Sequence, residues 1–367
     1  MKTSHKIFFG NSNNMKEVQP ESINLVVTSP PYPMIEMWDE QFSTLNTEIK
    51  EALKKEQGMN AYSLMHEELN KVWKEVDRVL MKGGIICINI GDATRKLGDS
   101  FQLYANHSHI TCNFEKMGYQ VLPPIIWRKE TNKPNKFMGS GMLPPNAYVT
   151  LEHEYILIFR KGTNREFSSE EKQNRQKSTY FWEERNIWFS DIWNGLKGVS
   201  QKLNHVDLRE RSAAYPFELA YRLINMYSIQ GDTVLDPFFG TGTTMLAAMC
   251  SARNSLGYEI DQNFITIIDY RLDELLHFSK EIVLERLKKH IDFVEKRLAE
   301  KGELKHKSLK YGFMVMTNQE KNISFSFMDK IEKINENLFE VSYSEEIHQP
   351  VIKIKNYYAP LQQKLIV

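Results

Sequence analysis

The segment Ser29-Pro30-Pro31-Tyr32 carries the residue types that could do chemistry most directly. It follows residues 23–27, an apolar and β-branched run that predicts a buried strand. The hydroxyl of Ser29 and the backbone carbonyl of Pro30 can accept the hydrogens of an amino group, and the paired prolines fix that carbonyl's direction. The ring of Tyr32 can stack on a flat ligand. A proline pair alone is more often only a stiff loop, so the rest of the chain decides which interpretation holds.

A second candidate is the glycine-rich run over residues 236–244, which reads Asp-Pro-Phe-Phe-Gly-Thr-Gly-Thr-Thr. Residues 233–235 predict a strand before it, and residues 243–252 predict a helix after it. Gly240 and Gly242 allow the backbone to come close to a ligand, and either Thr243 or Thr244 can cap the new helix. This pattern is typical of a cofactor-binding turn between a strand and a helix.

Glu259 supports the cofactor interpretation because it ends the next predicted strand, at residues 255–258. A carboxylate at that place can accept both hydroxyls of a ribose, as in dinucleotide-binding folds. A phosphate-binding P-loop would need Lys before Thr243, where Gly242 stands, and a nicotinamide fingerprint would need a small residue in place of Met245. The remaining alternative is a glycine turn that binds no ligand, and the presence of Glu259 at the neighbouring strand end argues against it.

The two segments together favour chemistry on an exocyclic amino group of a nucleic-acid base. Such an amine is a poor nucleophile because its lone pair is delocalised into the ring, and acceptors at Ser29 and Pro30 would localise that pair. The base would have to leave the duplex to reach a methyl donor, and stacking on Tyr32, worth about 1–3 kcal/mol, would offset much of the unstacking cost. Methylation at carbon 5 of cytosine is disfavoured because it needs a cysteine after a proline, a context that none of the chain's cysteines has: Cys87, Cys112 and Cys250.

The elements that would position these segments alternate between strands and helices, which predicts a doubly wound, mostly parallel α/β sheet. Strands are predicted at residues 7–9, 23–27, 85–90, 125–127, 155–159, 233–235 and 255–258. Helices are predicted at residues 62–81, 110–117, 216–227, 243–252 and 264–299, the first ended by residues 82–84 and the last by Gly302. Weak alternation predicts a small α+β tail with strands at residues 311–316, 323–327 and 351–354. Loops are expected where periodicity is missing, at residues 33–60 (over the site), 133–146 and 161–186.

Composition bounds the class of protein. The chain has 367 residues with 47 basic and 47 acidic side chains, so its net charge of zero gives no global support for a nucleic-acid partner. Local surpluses of Lys and Arg at residues 128–136, 160–177 and 280–310 nevertheless permit a basic surface. No apolar run could span a bilayer and no secretory signal is visible, so we expect a cytoplasmic protein with unpaired cysteines and no metal site.

The order and spacing of these motifs resemble the β class of amino-methylating DNA methyltransferases, in which the catalytic motif precedes the cofactor motif. Residues 28–32 match the catalytic motif, residues 236–244 the methionine-binding loop, residues 257–261 the ribose-binding strand end, and residues 214–219 a segment that completes the cofactor pocket. The resemblance covers residues 7–273 and implies a Rossmann-like fold that binds S-adenosyl-L-methionine. It implies catalytic roles for Ser29, Pro30, Pro31 and Tyr32, and cofactor contacts for Asp236, Phe238, Gly240, Gly242, Thr243, Glu259 and Asp261.

The resemblance also implies a reaction and partners. Serine at the first position of the tetrapeptide, here Ser29, is more typical of enzymes that methylate the N4 amine of cytosine, and N6 methylation of adenine is the alternative within the class. The implied partners are double-stranded DNA and a cognate restriction endonuclease. Residues 1–273 would form the catalytic domain and residues 274–367 an extension, with DNA contacts expected from that extension and from residues 33–60, 128–146 and 163–190. An NAD-linked oxidoreductase and a non-catalytic nucleic-acid binder are the alternatives from other classes.

Overall fold

The structure is a computed structural model that describes residues 1–129, 138–196 and 215–345. Its strands are β1 (Lys2–Phe9), β2 (Ile23–Thr28), β3 (Leu80–Ile90), β4 (Ala93–Leu97), β5 (Ser100–Tyr104), β6 (Gln120–Arg128), β7 (Met138–Gly139), β8 (Ala147–Tyr148), β9 (His153–Arg160), β10 (Ile192–Trp193), β11 (Thr233–Asp236), β12 (Asn254–Glu259), β13 (His306–Lys307), β14 (Met314–Val315), β15 (Phe327–Asn335) and β16 (Leu338–Ser344). Its α-helices are α1 (Asp39–Leu45), α2 (Thr47–Lys54), α3 (Gly58–Val79), α4 (Asn106–Lys116), α5 (Ser169–Lys177), α6 (Trp182–Trp188), α7 (Phe217–Tyr227), α8 (Thr243–Cys250), α9 (Phe264–Asp273) and α10 (Leu275–Lys301).

One main sheet organises the molecule, and its strand order is β10-β6-β9-β3-β2-β11-β12-β1-β16-β15. The strands from β3 to β1 along this order run parallel. β9 lies antiparallel between β3 and β6, and β16 and β15 extend the other edge as an antiparallel ribbon. Helices cover both faces, so the predicted doubly wound α/β fold is confirmed.

The central strands are largely apolar because both of their faces are covered. Leu25 and Val27 of β2 pack toward the layer that contains α7, α8 and α9. Val26 packs toward the opposite layer, which contains α1 to α4. This alternation of side chains along a strand explains why Leu25, Val26 and Val27 are all apolar, whereas Asn24, near the start of β2, is polar and half-buried.

The predicted helix at residues 62–81 is found as α3, but the prediction of its end is wrong. The helix ends at Val79, and Leu80 already has extended backbone. Gly83 and Gly84 therefore lie inside β3. Gly83 has a φ of 78°, and a β-carbon there would lie 2.6 Å from backbone atoms of Arg165, so this glycine permits close backbone packing and does not end a helix.

The long helix predicted over residues 264–299 is two helices. α9 ends at Asp273 and α10 begins at Leu275, with Glu274 between them. The apolar spacing continues across this break because Glu274 keeps near-helical backbone angles, φ −94° and ψ −10°. Gly302 ends α10 as predicted, with a φ of 83°. Within the described ranges, no helix is both long and apolar enough to cross a membrane.

Two segments that we expected to be loops contain helices, so those predictions are wrong. α1 and α2 lie within residues 33–60, and α5 and the start of α6 lie within residues 161–186. α5 buries none of its residues and shows no apolar stripe in the sequence, whereas α2 carries a short one, Ile49, Ala52 and Leu53, within only eight residues. Around residues 140–146, β7 and β8 form a small hairpin, while residues 133–137 of the expected loop lie outside the described residues.

The tail after α10 adds strands to the main sheet. β16 pairs with β1, and its buried residues Phe339, Val341 and Tyr343 join the core beneath α7 and α8. The strand predicted at residues 311–316 shrinks to β14, the prediction at residues 323–327 misses most of β15, and residues 351–354 lie outside the described residues. Residues 327–344 thus complete the sheet that carries the earlier motifs, while the division at residue 273 stays a prediction.

Candidate active site

The two candidate segments leave the sheet side by side. β2 and β11 are parallel neighbours, with Val26 beside Leu235. From these strands the chain continues in opposite directions, because α3 leads from β2 to β3 and α8 leads from β11 to β12. Such a reversal leaves a crevice at the carboxyl ends of the strands, which is where open α/β sheets bind ligands.

A cleft of about 420 Å³ lies at this reversal, a size suited to a small-molecule ligand. The hydroxyl of Thr28, at the end of β2, donates a 2.6 Å hydrogen bond to the carboxylate of Asp236, at the end of β11, and so ties the two segments together. All but one of the predicted site residues line the cleft: Ser29, Pro30, Pro31, Tyr32, Asp236, Phe238, Gly240, Thr243, Glu259 and Asp261. The exception is Gly242, which lies behind the lining.

The hydroxyls of Ser29 and Tyr32 lie against each other, with an Oγ to hydroxyl-oxygen distance of 3.1 Å. The Tyr32 ring packs closely on Gly91, where a β-carbon would lie 2.9 Å from a ring carbon. Burial raises the pKa of Tyr32 well above its ordinary value, and the negative charge of Glu154 raises it further. Tyr32 therefore keeps its proton.

Asn89 and Glu154 also belong to this corner, and sequence reasoning missed them. The Tyr32 hydroxyl donates to a Glu154 carboxylate oxygen at 2.9 Å and accepts from the Asn89 amide at 2.8 Å. A signal was present, since each is a polar residue within an apolar strand, in β3 and β9 respectively. A buried polar side chain needs a partner, and here the partner is Tyr32.

Asp236 is 2% exposed and its carboxylate is surrounded by protein donors. Besides the bond from Thr28, it accepts from the Thr244 hydroxyl at 2.8 Å, the Phe238 amide at 3.1 Å and the Tyr215 hydroxyl at 3.3 Å. Burial raises the pKa of Asp236, and these hydrogen bonds oppose the rise. These four donors match the acceptor capacity of one carboxylate, so this side chain organises the loops around the cleft.

The glycine loop has left-handed backbone at both of its glycines. Gly240 has a φ of 50° and Gly242 a φ of 76°, a conformation that favours glycine. Gly242 is the N-terminal cap residue of α8, and a β-carbon there would lie 3.2 Å from the Phe239 ring. It therefore permits the tight packing behind the loop, while Gly240 faces the cleft.

The expectation that Thr243 or Thr244 caps α8 is wrong, because the cap position is Gly242 and no side chain bonds the free amides there. The Thr244 hydroxyl points into the core instead, where it contacts Asp236 and the backbone carbonyl of Val27. Thr243 is 4% exposed, lines the cleft and accepts a bond from the Arg271 guanidinium at 3.2 Å.

Glu259 faces the glycine loop from the end of β12. One carboxylate oxygen accepts from the Gly240 amide at 2.7 Å, and the other accepts from the amides of Ile260 and Asp261 at 2.8 and 3.0 Å. Burial raises the pKa of Glu259, while these backbone bonds oppose the rise. A carboxylate has about four acceptor sites, so one site on the Gly240 side is left for a ligand hydroxyl. The sequence-based expectation that Glu259 contacts both ribose hydroxyls stays a prediction.

Part of the segment expected to lie over the site, residues 33–60, does so, and that part is helical. Met37 and Trp38 precede α1, and they line the cleft together with several α1 residues: Glu40, Gln41, Phe42, Thr44 and Leu45. Arg95 of β4 forms an ion pair with Asp39 at 2.6 Å, which fastens the start of α1 to the β4–β5 ribbon. This segment therefore forms one wall of the cleft.

The lining carries acidic side chains, and among the described residues it contains no Lys or Arg: its charged members are Glu40, Glu68, Asp236, Glu259 and Asp261. Such a lining favours a ligand that bears positive charge and disfavours one that bears phosphates. The electrostatics therefore argue against a dinucleotide or a nucleoside triphosphate in this cleft.

Residues 163–190 lie away from the cleft. Several of them, including Arg165, Lys172 and Arg175, line a second, wider crevice beside Asn24 and Gly83. Asn24 is at the amino end of β2, so this crevice opens at the amino ends of the parallel strands, whereas the candidate active site lies at their carboxyl ends. The β7–β8 hairpin, in contrast, is joined to the start of β9 and hence to Glu154.

Comparison with known proteins gives three findings. A family model for N6 and N4 methyltransferases, described as DNA methylase, matches residues 23–269. The chain is 60% identical over 347 residues to the Type II methyltransferase M.MthZI of Methanothermobacter thermautotrophicus, covering 94% of this chain and 96% of that protein. It is 54% identical over 281 residues to the Type II methyltransferase M.MjaI of Methanocaldococcus jannaschii, covering 74% of this chain and 91% of that protein.

A solved structure of similar fold is TTHA0409 of Thermus thermophilus, assigned as a DNA modification methylase and crystallised with S-adenosyl-L-methionine. Its TM-score against this chain is 0.57 at 30% sequence identity. The match covers 74% of this chain and 95% of that one.

Proposed function

The chain belongs to the N6/N4 DNA methylase family, and from this premise we propose that it transfers a methyl group from S-adenosyl-L-methionine to the N4 amine of a flipped-out cytosine in DNA. At the coarser level it is a Type II DNA methyltransferase that uses S-adenosyl-L-methionine. The observation that carries the proposed transfer to an amino group is the meeting of Ser29 and Tyr32 with Gly240 and Glu259 in one cleft.

The residues of the cleft fit this cofactor. When bound, S-adenosyl-L-methionine supplies an electrophilic methyl group on a positively charged sulfur. The acidic lining suits that positive charge, and the free acceptor site of Glu259 suits one ribose hydroxyl. Gly240 leaves the loop open to a ligand, and Phe238 and Asp261 are proposed to add further contacts along the same wall.

The other wall would act on the target amine. The Ser29 hydroxyl oxygen and the Pro30 carbonyl would accept the hydrogens of that amine and so concentrate its lone pair on nitrogen. Pro31 restrains the direction of the Pro30 carbonyl. The Tyr32 ring, held against Gly91 on one side, would stack on the extruded base with the other.

Support for cytosine over adenine comes from Ser29, because the resemblance associates serine at this position with N4-cytosine methylation. The names of its relatives as Type II methyltransferases support a role in protecting DNA from a cognate restriction endonuclease. For duplex contacts we propose the α1–α2 segment, whose α1 lines the cleft, and the β7–β8 hairpin, which leads into the strand that carries Glu154. We do not extend that proposal to residues 163–190, since they line the crevice at the amino ends of the strands.

The test is to express the chain in a host that lacks DNA methylation, digest its DNA to nucleosides and identify the modified base by mass spectrometry. We expect N4-methylcytosine, and methylome sequencing of the same DNA should place it in one recognition sequence. Detection of N6-methyladenine without N4-methylcytosine would show that the target base is adenine and would overturn the choice of cytosine. Unmodified DNA, from a protein that binds the cofactor, would refute the proposed function.

A further inference from the structure

A row of polar side chains supports Tyr32 from behind the cleft. The Tyr32 hydroxyl contacts Ser29 at 3.1 Å and Glu154 at 2.9 Å, and the other Glu154 oxygen accepts from the Lys129 ammonium at 2.5 Å. The Asn89 amide nitrogen donates to both Tyr32, at 2.8 Å, and Glu154, at 2.6 Å. Asn89 is 3% exposed and Glu154 is 8% exposed, so water competes little for the bonds that these two side chains make with each other and with Tyr32.

The chemistry of these groups fixes the direction of each hydrogen bond. The Asn89 amide nitrogen can only donate, and the Glu154 carboxylate, paired with Lys129, can only accept. The single hydroxyl proton of Tyr32 therefore goes to Glu154. Tyr32 has no second proton to give to Ser29, so in the contact between these two hydroxyls Ser29 donates its own proton to the Tyr32 oxygen.

This direction matters because a serine hydroxyl can donate as well as accept. If Ser29 donated its proton to the target amine, it would occupy the lone pair that must attack the methyl group. With the proton committed to Tyr32, only the lone pairs of the Ser29 oxygen face the cleft. An acidic residue at this position would need no such arrangement, since an ionised carboxylate has no proton to donate.

We propose that Glu154 is a positioning residue which, with Asn89, orients the Tyr32 hydroxyl so that Ser29 presents itself to the target amine as a hydrogen-bond acceptor only. This inference rests on the proposed function, because it assigns Ser29 its task in methylation of an amine. It goes beyond that function by adding two residues that do not line the cleft.

The experiment measures single-turnover methyl transfer from tritium-labelled S-adenosyl-L-methionine to plasmid DNA for Tyr32→Phe and Glu154→Gln, each alone and combined with Ser29→Ala. Tyr32→Phe keeps the stacking ring and removes the oriented hydroxyl. We expect each single change to lower the transfer rate about 10- to 100-fold, the loss of one hydrogen bond to a charged group, with cofactor affinity and DNA KM unchanged. In the Ser29→Ala background the same changes should cost less than about twofold, because they act through Ser29.

The matched control is Tyr119→Phe. The Tyr119 hydroxyl also donates to a carboxylate, that of Asp77 at 2.9 Å, and Tyr119 is 6% exposed in the same helical layer but outside the cleft. Its transfer rate should equal that of the unmodified protein. Wild-type rates in Tyr32→Phe or Glu154→Gln, or losses that multiply with that of Ser29→Ala, would overturn the inference. A wild-type protein that binds cofactor and methylates no DNA would instead refute the proposed function.

Discussion

Replacing Glu259 by Gln isolates the contribution of one carboxylate to cofactor binding. In the structure that carboxylate accepts three backbone N–H groups, from Gly240 on one oxygen and from Ile260 and Asp261 on the other. An amide has a single acceptor oxygen. If that oxygen keeps the two bonds to Ile260 and Asp261, the amide's own N–H groups must face the Gly240 N–H, and that bond is lost.

The expected magnitude follows from the kind of bond that is lost. A hydrogen bond to a charged group contributes about 1.5–3 kcal/mol, and the position on the Gly240 side is also the free acceptor site proposed for a ribose hydroxyl. Because about 1.4 kcal/mol corresponds to a factor of ten, the cofactor Kd should rise roughly 10- to 100-fold. The transfer rate at saturating cofactor should change little, since Ser29 and Tyr32 are untouched.

Isothermal titration calorimetry with S-adenosyl-L-methionine measures this change in Kd. Glu285→Gln is a suitable control, because Glu285 forms an exposed helical ion pair with Lys289 at 2.7 Å and loses the same charge far from the cleft. Its Kd should equal that of the unmodified protein. A folded Glu259→Gln protein with an unchanged Kd would refute the role that we assign to this carboxylate.

The remaining predictions concern pH and packing. Burial raises the pKa of Glu259, and the cofactor should prefer the ionised carboxylate, so the cofactor Kd should increase as pH falls through that raised pKa. In Glu259→Gln the Kd should not depend on pH in this range. A pH-independent Kd in the unmodified protein would contradict this. Burial lowers the pKa of His5 and His66 to about 3, whereas in the unfolded chain histidine binds a proton near pH 6.5, so stability should fall by about 1.4 kcal/mol per histidine between pH 7.5 and 5.5. Urea unfolding at the two pH values should show this loss of stability, and in a His66→Gln variant the loss should be roughly half as large. Equal stability of the unmodified protein at pH 7.5 and 5.5 would refute the assignment. Gly257→Ala would drive a β-carbon into the Phe239 ring, so it should lower the free energy of unfolding by about 1–3 kcal/mol and weaken cofactor binding. Gly10→Ala is the control, because no atom lies within 4 Å of its new carbon, and a thermal melt should show unchanged stability.

Several features of the fold could be predicted from local pattern. Strands such as β2 and β11 are buried on both faces, so their sequences are short apolar runs, and α3 shows a long helical stripe. The helices within residues 33–60 and 161–186 could not be predicted in the same way. They are short, with eight residues in α2 and nine in α5, and isolated helices of that length are only marginally stable in water, so a local pattern gives little signal for them.

By itself, the sequence determined the chemistry of the candidate site: a Ser-Pro-Pro-Tyr corner after one apolar strand, and a glycine turn with an acidic strand end after others. Only the tertiary structure decided which groups surround these segments. The bonds from Thr28 to Asp236, Tyr32 to Glu154 and Gly240 to Glu259 join residues that are 208, 122 and 19 positions apart. A hydrogen bond depends on distance and direction in space, and a separation along the chain fixes neither until the strands are ordered in the sheet.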